Sequence, residues 1–165
     1  MGSPASFVTA ASTSDTNTFT QEQYFAGGIS FGCRAFVPFG HPNIAAGDNA
    51  TPANSTPVQI HWCGVSGLST AGFVAPRDGN FRSLAVSLSG NAVGSVAIFQ
   101  IFKNGTLVNV ATAATVALGQ AKAYATLPID TYGFDAGDVI DVRVRTGSGW
   151  TATTVDAAVA LEVEV

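Results

Sequence analysis

The sequence predicts an all-β protein: an antiparallel β-sandwich in jelly-roll order, preceded by an extended N-terminal arm. Three observations lead there. Short runs rich in Val, Ile and Phe recur at a spacing of about 8–12 residues with turn signals between them. The last run alternates apolar and polar residues with period two up to the end of the chain. No amphipathic stretch reaches beyond a few helical turns. The 165 residues amount to a single domain's worth of chain.

The arm is placed at residues 1–28 and the sandwich at 29–165. The segment SPASFVTAASTSDTNTFTQEQ has neither helical nor strand periodicity. It cannot build its own core, but it can order by lying on a neighbour. Its scattered apolar residues Phe7, Val8 and Phe19 are the expected contacts to neighbouring subunits. From Ile29 the texture changes, and ISFGCRAFVPF reads as a strand ending at Pro38. Residues 40–57 are Gly, Pro, Asn, Asp and Ser almost throughout, a long loop expected to meet a neighbour or face solvent.

Strands then follow in series. Residues 58–65 put Val58, Ile60 and Trp62 on one face. Residues 72–75 form a short strand that stops at Pro76, and Pro76-Arg77-Asp78-Gly79 stands in turn-forming order. Residues 81–89 alternate poorly at first, then place Leu84, Val86 and Leu88 together. In 95–103 the alternation is broken, as a bulge or burial on both faces would require. Asn104-Gly105 is the strongest short hairpin signal in the chain. Returning strands are expected at 106–110, 112–118, 122–127 and 139–146. The Ala-rich stretch 110–125 has helix propensity, but its Thr residues and Gly119 favour strand–turn–strand. In the final strand, 155–165, Val155, Ala157, Val159, Leu161, Val163 and Val165 share one face, and Asp156, Glu162 and Glu164 the other.

Charged residues make up only 11% of the chain, against about 25% in an ordinary domain. Mean hydropathy is +0.31. So little charge suits a subunit whose faces are covered by partners. The formal net charge of −4 argues against nucleic acid, which demands clustered cations. Arg143 and Arg145 share a strand face, and with Asp138 and Asp141 they read as a local solvated charge pattern. No apolar run approaches the ~20 residues of a membrane span. The sequence opens on Met1 without a secretory leader, so synthesis in a cytoplasm is expected.

Asp130, Asp135, Asp138 and Asp141 cluster in IDTYGFDAGDVID, but without calcium-loop spacing, and turn formation is the better reading. Cys33, His41, His61 and Cys63 lack zinc-site spacing; a Cys33–Cys63 contact or bond is preferred. There is no Gly-x-Ser-x-Gly elbow and no phosphate loop. The expectation is a protein that is not an enzyme and that takes no cofactor and no metal. Trp150, in the loop TGSGWTATT, and Trp62 are the candidate interface or glycan contacts, with a plug under the sandwich end or a subunit contact favoured for Trp150.

The runs GFVAPRDGNFRSLAVSLSGN, IFQIFKNGTLV, FDAGDVIDVRV and the closing ALEVEV resemble the jelly-roll domains of tumour-necrosis-factor/C1q-like type found in bacteriophage structural proteins. Pro76-Arg77-Asp78-Gly79, Asn104-Gly105-Thr106 and Ala136-Gly137-Asp138 match its turn motifs in order. The match covers residues 58–165; the arm and the long loop have no counterpart. The resemblance implies a homotrimer in the virion, a capsid decoration (cement) subunit whose partners are its own copies and the major capsid protein or other virion subunits. The alternative is a tail-fibre or receptor-binding tip that recognises cell-surface glycans.

Overall fold

The computed structural model describes residues 34–44, 58–59, 61–62, 72–152 and 154–165. The strands among them are β1 (Arg34–His41), β2 (Val58–Gln59), β3 (His61–Trp62), β4 (Phe73–Val74), β5 (Gly79–Leu88), β6 (Ala97–Lys103), β7 (Thr106–Leu107), β8 (Ala114–Val116), β9 (Lys122–Thr126), β10 (Gly133–Phe134), β11 (Val139–Thr146) and β12 (Ala157–Glu164). They form two antiparallel sheets. The first runs β10–β5–β12–β1–β3, with β9 also on β5; the second runs β2–β11–β6–β7, with β4 on β11 and β8 on β6. Reduced to eight strands, the sheets are β1–β12–β5–β9 and β4–β11–β6–β8, which is jelly-roll order. The remaining four strands, two residues each, extend this frame beyond the two four-stranded sheets expected.

The inner faces interdigitate as period-two alternation dictates. Val159, Leu161 and Val163 of β12 and Phe81, Leu84 and Val86 of β5 meet Ile140, Val142 and Val144 of β11 and Phe99 and Ile101 of β6, all buried. Phe81 and Phe134 pack tilted at 5.0 Å between ring centroids. The poor alternation at the start of β5 has a local cause. Glu162 pairs with Ser83 but Val163 pairs with Phe81, so Arg82 is the extra residue of a β-bulge. The broken alternation of β6 has the other cause foreseen. Its register with β11 is continuous, and Gln100 and Phe102 are buried on one face while Phe99 and Ile101 are buried on the other.

Five expectations need correction. The single strand expected at 58–65 divides between the sheets: Val58–Gln59 pairs with β11 in the second, and His61–Trp62 with β1 in the first. Pro38 does not end the first strand: it pairs with Ala160, and β1 runs on to His41. Among the described residues β3 pairs β1 only at Phe39 and Gly40. Proline keeps φ within the extended range, so it fits a strand wherever the ladder does not call on its missing N–H. The loop placed at 40–57 begins later, because Gly40 and His41 finish β1 and Ile44 is fully buried, its N–H donating to Val155 O at 2.8 Å. Residues 45–57 lie outside the described residues. The strand expected at 106–110 stops at Leu107 and passes into a 3₁₀ turn, Val110–Thr112, capped by Asn109. The charges on β11 are not simply solvated: Asp141 is 4% exposed and binds Arg143 through both oxygens, at 2.8 and 3.2 Å. The stretch 110–125 is otherwise strand–turn–strand, as read.

The three turn motifs, far apart in sequence, converge at one end of the sandwich. Asn104 and Gly105 hold φ of 51° and 77°, the left-handed pair that a two-residue hairpin requires. The Asn104 side chain donates to Asp138 Oδ1 (2.6 Å) and accepts from the Val139 N–H (2.8 Å). The other Asp138 oxygen accepts from the Asp135 N–H (2.8 Å) and faces Lys103 Nζ at 3.5 Å. Asp78 accepts from the Ala136 N–H at 2.8 Å, and Ala75 bonds to both Asp138 O and the Gly137 N–H. The opposite end is closed by Trp150. It is 2% exposed, and its Nε1 donates to Ile44 O at 3.1 Å.

The Asp135 N–H first, then the Asn104 amide and Lys103, hold the Asp138 carboxyl below its ordinary value. A lowered native pKa favours the fold above the unfolded-state value, near 4, and that contribution is lost as pH falls through the native value. Asp138→Asn should therefore melt lower at pH 7 and lose less stability than the parent between pH 5 and pH 2, measured by thermal unfolding across that range. Trp150→Phe removes one buried hydrogen bond and should cost about 1–3 kcal/mol. Trp150→Ala adds a cavity and should cost about 3–5 kcal/mol in urea unfolding.

Candidate functional site

The surface that departs most from what water asks of a β-sheet is the outer face of the first sheet. Strand registers lay it out in rows. Tyr124, Ala85, Ala160 and Pro38 stand opposite one another across β9, β5, β12 and β1, and the next row is Lys122, Ser87, Ala158 and Gly40. An antiparallel sheet with one wet face ordinarily alternates apolar-in and polar-out. Here the outward positions of the central strands are Ala, Ser, Gly and Pro, and the only charge in these two rows is Lys122, at the sheet margin.

Small residues in the centre and large ones at the rim give the face its shape. Tyr124 is 81% exposed on β9 and Phe36 69% exposed on β1. Over the two rows lies a shallow hollow of about 350 Å³ floored by Pro38, Ala85, Ser87, Ala158 and Ala160. A second, about 640 Å³, continues past Tyr124 and Lys122 to Thr115 and Ala117 at the β8 edge. Formal charges gather at the other end of the sheet, already paired: Arg34 with Glu162 (3.2 Å) and Arg82 with Glu164 (2.9 Å). Glu162 also accepts from Ser83 Oγ at 2.8 Å. The face thus has an uncharged field and a polar, internally neutralised end. Such a surface is weakly solvated in its middle.

The residues singled out from sequence fall differently. Trp150 takes the plug position under the sandwich end; with its ring inside the core it offers no face on which a sugar could stack. The backbone of Trp62 pairs with Phe39 in the first sheet, while its side chain lies outside the described residues. Phe7, Val8 and Phe19, and Cys33 and Cys63, also lie outside them. The acidic cluster is dispersed into structural roles: Asp135 and Asp138 in the turn network, Asp141 against Arg143, and Asp130, at φ 54°, accepting from Asn80 at 3.3 Å. Among the described residues no three His, Cys, Asp or Glu side chains gather as a metal site, and no helix is long and apolar enough to cross a membrane.

The residues of the uncharged face were missed in the sequence. A signal for them was present in β12. The face opposite its valines carries Ala158 and Ala160 where a solvated strand would carry charged or hydroxyl side chains.

No protein-family model and no curated protein matches the chain. Among solved structures it is similar to a chain of the cyanophage Pam1 capsid asymmetric unit. The identity is 12% and the TM-score 0.49, over 91% of this chain and 97% of that one. At that level of similarity the question of role rests on surface chemistry.

Proposed function

We propose that this chain is a phage virion structural protein, a decoration subunit that assembles as a homotrimer through the outer face of its first sheet and braces the head shell. The observation that carries the reading is the pair of uncharged rows centred on Ala85, Ala158, Ala160 and Pro38. Left in water, that face would be an apolar patch of the kind that marks contact with partners. The low charge of the whole chain and the turn motifs of the phage jelly-roll resemblance support the same reading.

Area sets what the face can do alone. Four strands about 4.8 Å apart and about 25 Å long present on the order of 500 Å². A stable interface needs roughly 800 Å² per partner. The face supplies more than half of this, and the rest must come from elsewhere. In this reading the 1–28 arm supplies further area by lying along neighbouring shell subunits, with Phe7, Val8 and Phe19 as its apolar anchors. The glycan-binding tip is the weaker reading, since the ring of Trp150, its expected contact, lies inside the core.

Two measurements test this. Ala160→Glu places a charge in the middle of the face without touching the core. It should keep the parent's melting temperature within a few degrees, yet sediment at one third of the parent's mass at micromolar concentration. A parent that is itself monomeric at that concentration would refute the trimer. Deleting residues 1–28 should leave the trimer intact and abolish binding to purified shells; full decoration by the truncated protein would refute the role of the arm.

A further inference from the structure

We infer that the outer face of the second sheet carries a carboxylate-binding subsite built around Arg145, on the side of the sandwich opposite the assembly face and independent of it. Arg143 and Arg145 project from β11 on the same side, two residues apart. Arg143 is fully engaged: it clasps Asp141 with two nitrogens, and its guanidinium lies 4.1 Å above the Phe102 ring. Arg145 is not. It makes no ion pair among the described residues, and its Nε is buried without an acceptor. Opposite it in the ladder stands Ile98, which offers no partner.

A buried guanidinium N–H ordinarily has an acceptor, since leaving one unmade is costly. The space for one is present. Arg145 lines a cleft of about 260 Å³ with Ser95, Val96, Ile98, Gly147 and Ser148. Gly147 leaves Ser95 Oγ room at the cleft wall, since a Cβ there would push that hydroxyl aside. Neither Ser95 nor Ser148 spends its hydroxyl on another described residue, so both can donate to a ligand. One cation, two hydroxyls and apolar walls from Val96 and Ile98 define the ligand class.

The site offers a single positive charge in a planar fork. That matches a singly charged, planar carboxylate, which a guanidinium binds in bidentate fashion. Phosphate sites instead gather several cations or a nest of backbone N–H groups; among the described residues Arg145 is the one cation lining this cleft. The carboxylate could belong to an acidic side chain of another polypeptide or to a free organic acid. Both share the chemistry that acetate reports.

The test is a side-chain NMR titration of the assembled protein at pH 7 and constant ionic strength, with sodium acetate in one arm and sodium phosphate in the other. Acetate should move the Arg145 Nε–Hε resonance and the Ser95 and Gly147 amides along one saturable curve, leaving the exposed Arg77 unmoved. Arg145→Gln should abolish the curve at the two amides, and Ser148→Ala should weaken binding roughly fivefold, the worth of one ordinary hydrogen bond. The spectral dispersion of each variant reports its folding. The subsite is refuted if acetate gives only a linear drift, or a shift of equal size at Arg77. Saturation by phosphate without saturation by acetate refutes the carboxylate assignment.

Discussion

Strand β12 is paired along its length on both sides, by β1 through Arg34–Glu164 to His41–Ala157 and by β5 across Asn80–Leu88. The last strand of the chain is thus a central strand of the first sheet. Its valines and Leu161 form one wall of the core, and its other side supplies the middle of the uncharged surface. Core packing and surface chemistry are bound to one register. A slip of one residue would turn Val159 and Leu161 outward and bring Glu162 into the core. The bulge at Arg82 lets β5 follow this register: it absorbs one residue, so that Phe81 still points inward while Arg82 reaches Glu164.

The network joining Asn104, Asp138 and Asp78 solves a different problem. Jelly-roll strands cross repeatedly between sheets, and each crossing leaves backbone groups without ladder partners. At this end those groups are satisfied by side chains from three separate turns. Asn104 serves the β6–β7 hairpin and the entry to β11 at once, and Asp78 holds the Ala136 N–H from across the sandwich end. Turn residues chosen for local geometry therefore also fasten the two sheets together. Short motifs such as Asn-Gly and Ala-Gly-Asp are accordingly informative about fold even where little else in the sequence is.

What could be read in the sequence and what could not divides along the same physical line. Period-two strands and turn chemistry are local properties, so β11 was placed to the residue and β5, β6, β9 and β12 to within two at each end. Features that depend on a partner strand were not visible. Pro38 looked like a terminator because tolerance of a missing N–H depends on whether a neighbour needs it. Ile44 looked like loop because its burial depends on Trp150 and Val155, more than 100 positions away. Trp150 is conspicuous as a lone aromatic among Gly, Ser and Thr, a pattern equally consistent with an exposed contact and a core plug; only its position under Ile44 decides. The uncharged face was hardest to see, since it consists of common small residues spread over four strands and only the register assembles them.

How such a protein associates depends on which of its unpaired surfaces is easier to cover. A sandwich has free strand edges as well as faces, and an open edge invites strand addition, which propagates into fibres. The edge at β9 is five residues long and carries Lys122. Short and charged edges of this kind are poor templates for strand addition. The first-sheet face is the reverse: broad, uncharged in its middle, and low enough in relief at Ala85, Ala158 and Ala160 for another chain to approach the sheet closely. The paired charges Arg34–Glu162 and Arg82–Glu164 lie only at one end of it, so copies packed on this face have a polar end to align. In the proposed assembly, burying this face would leave the outer face of the second sheet, with Arg145, turned away from the sister chains.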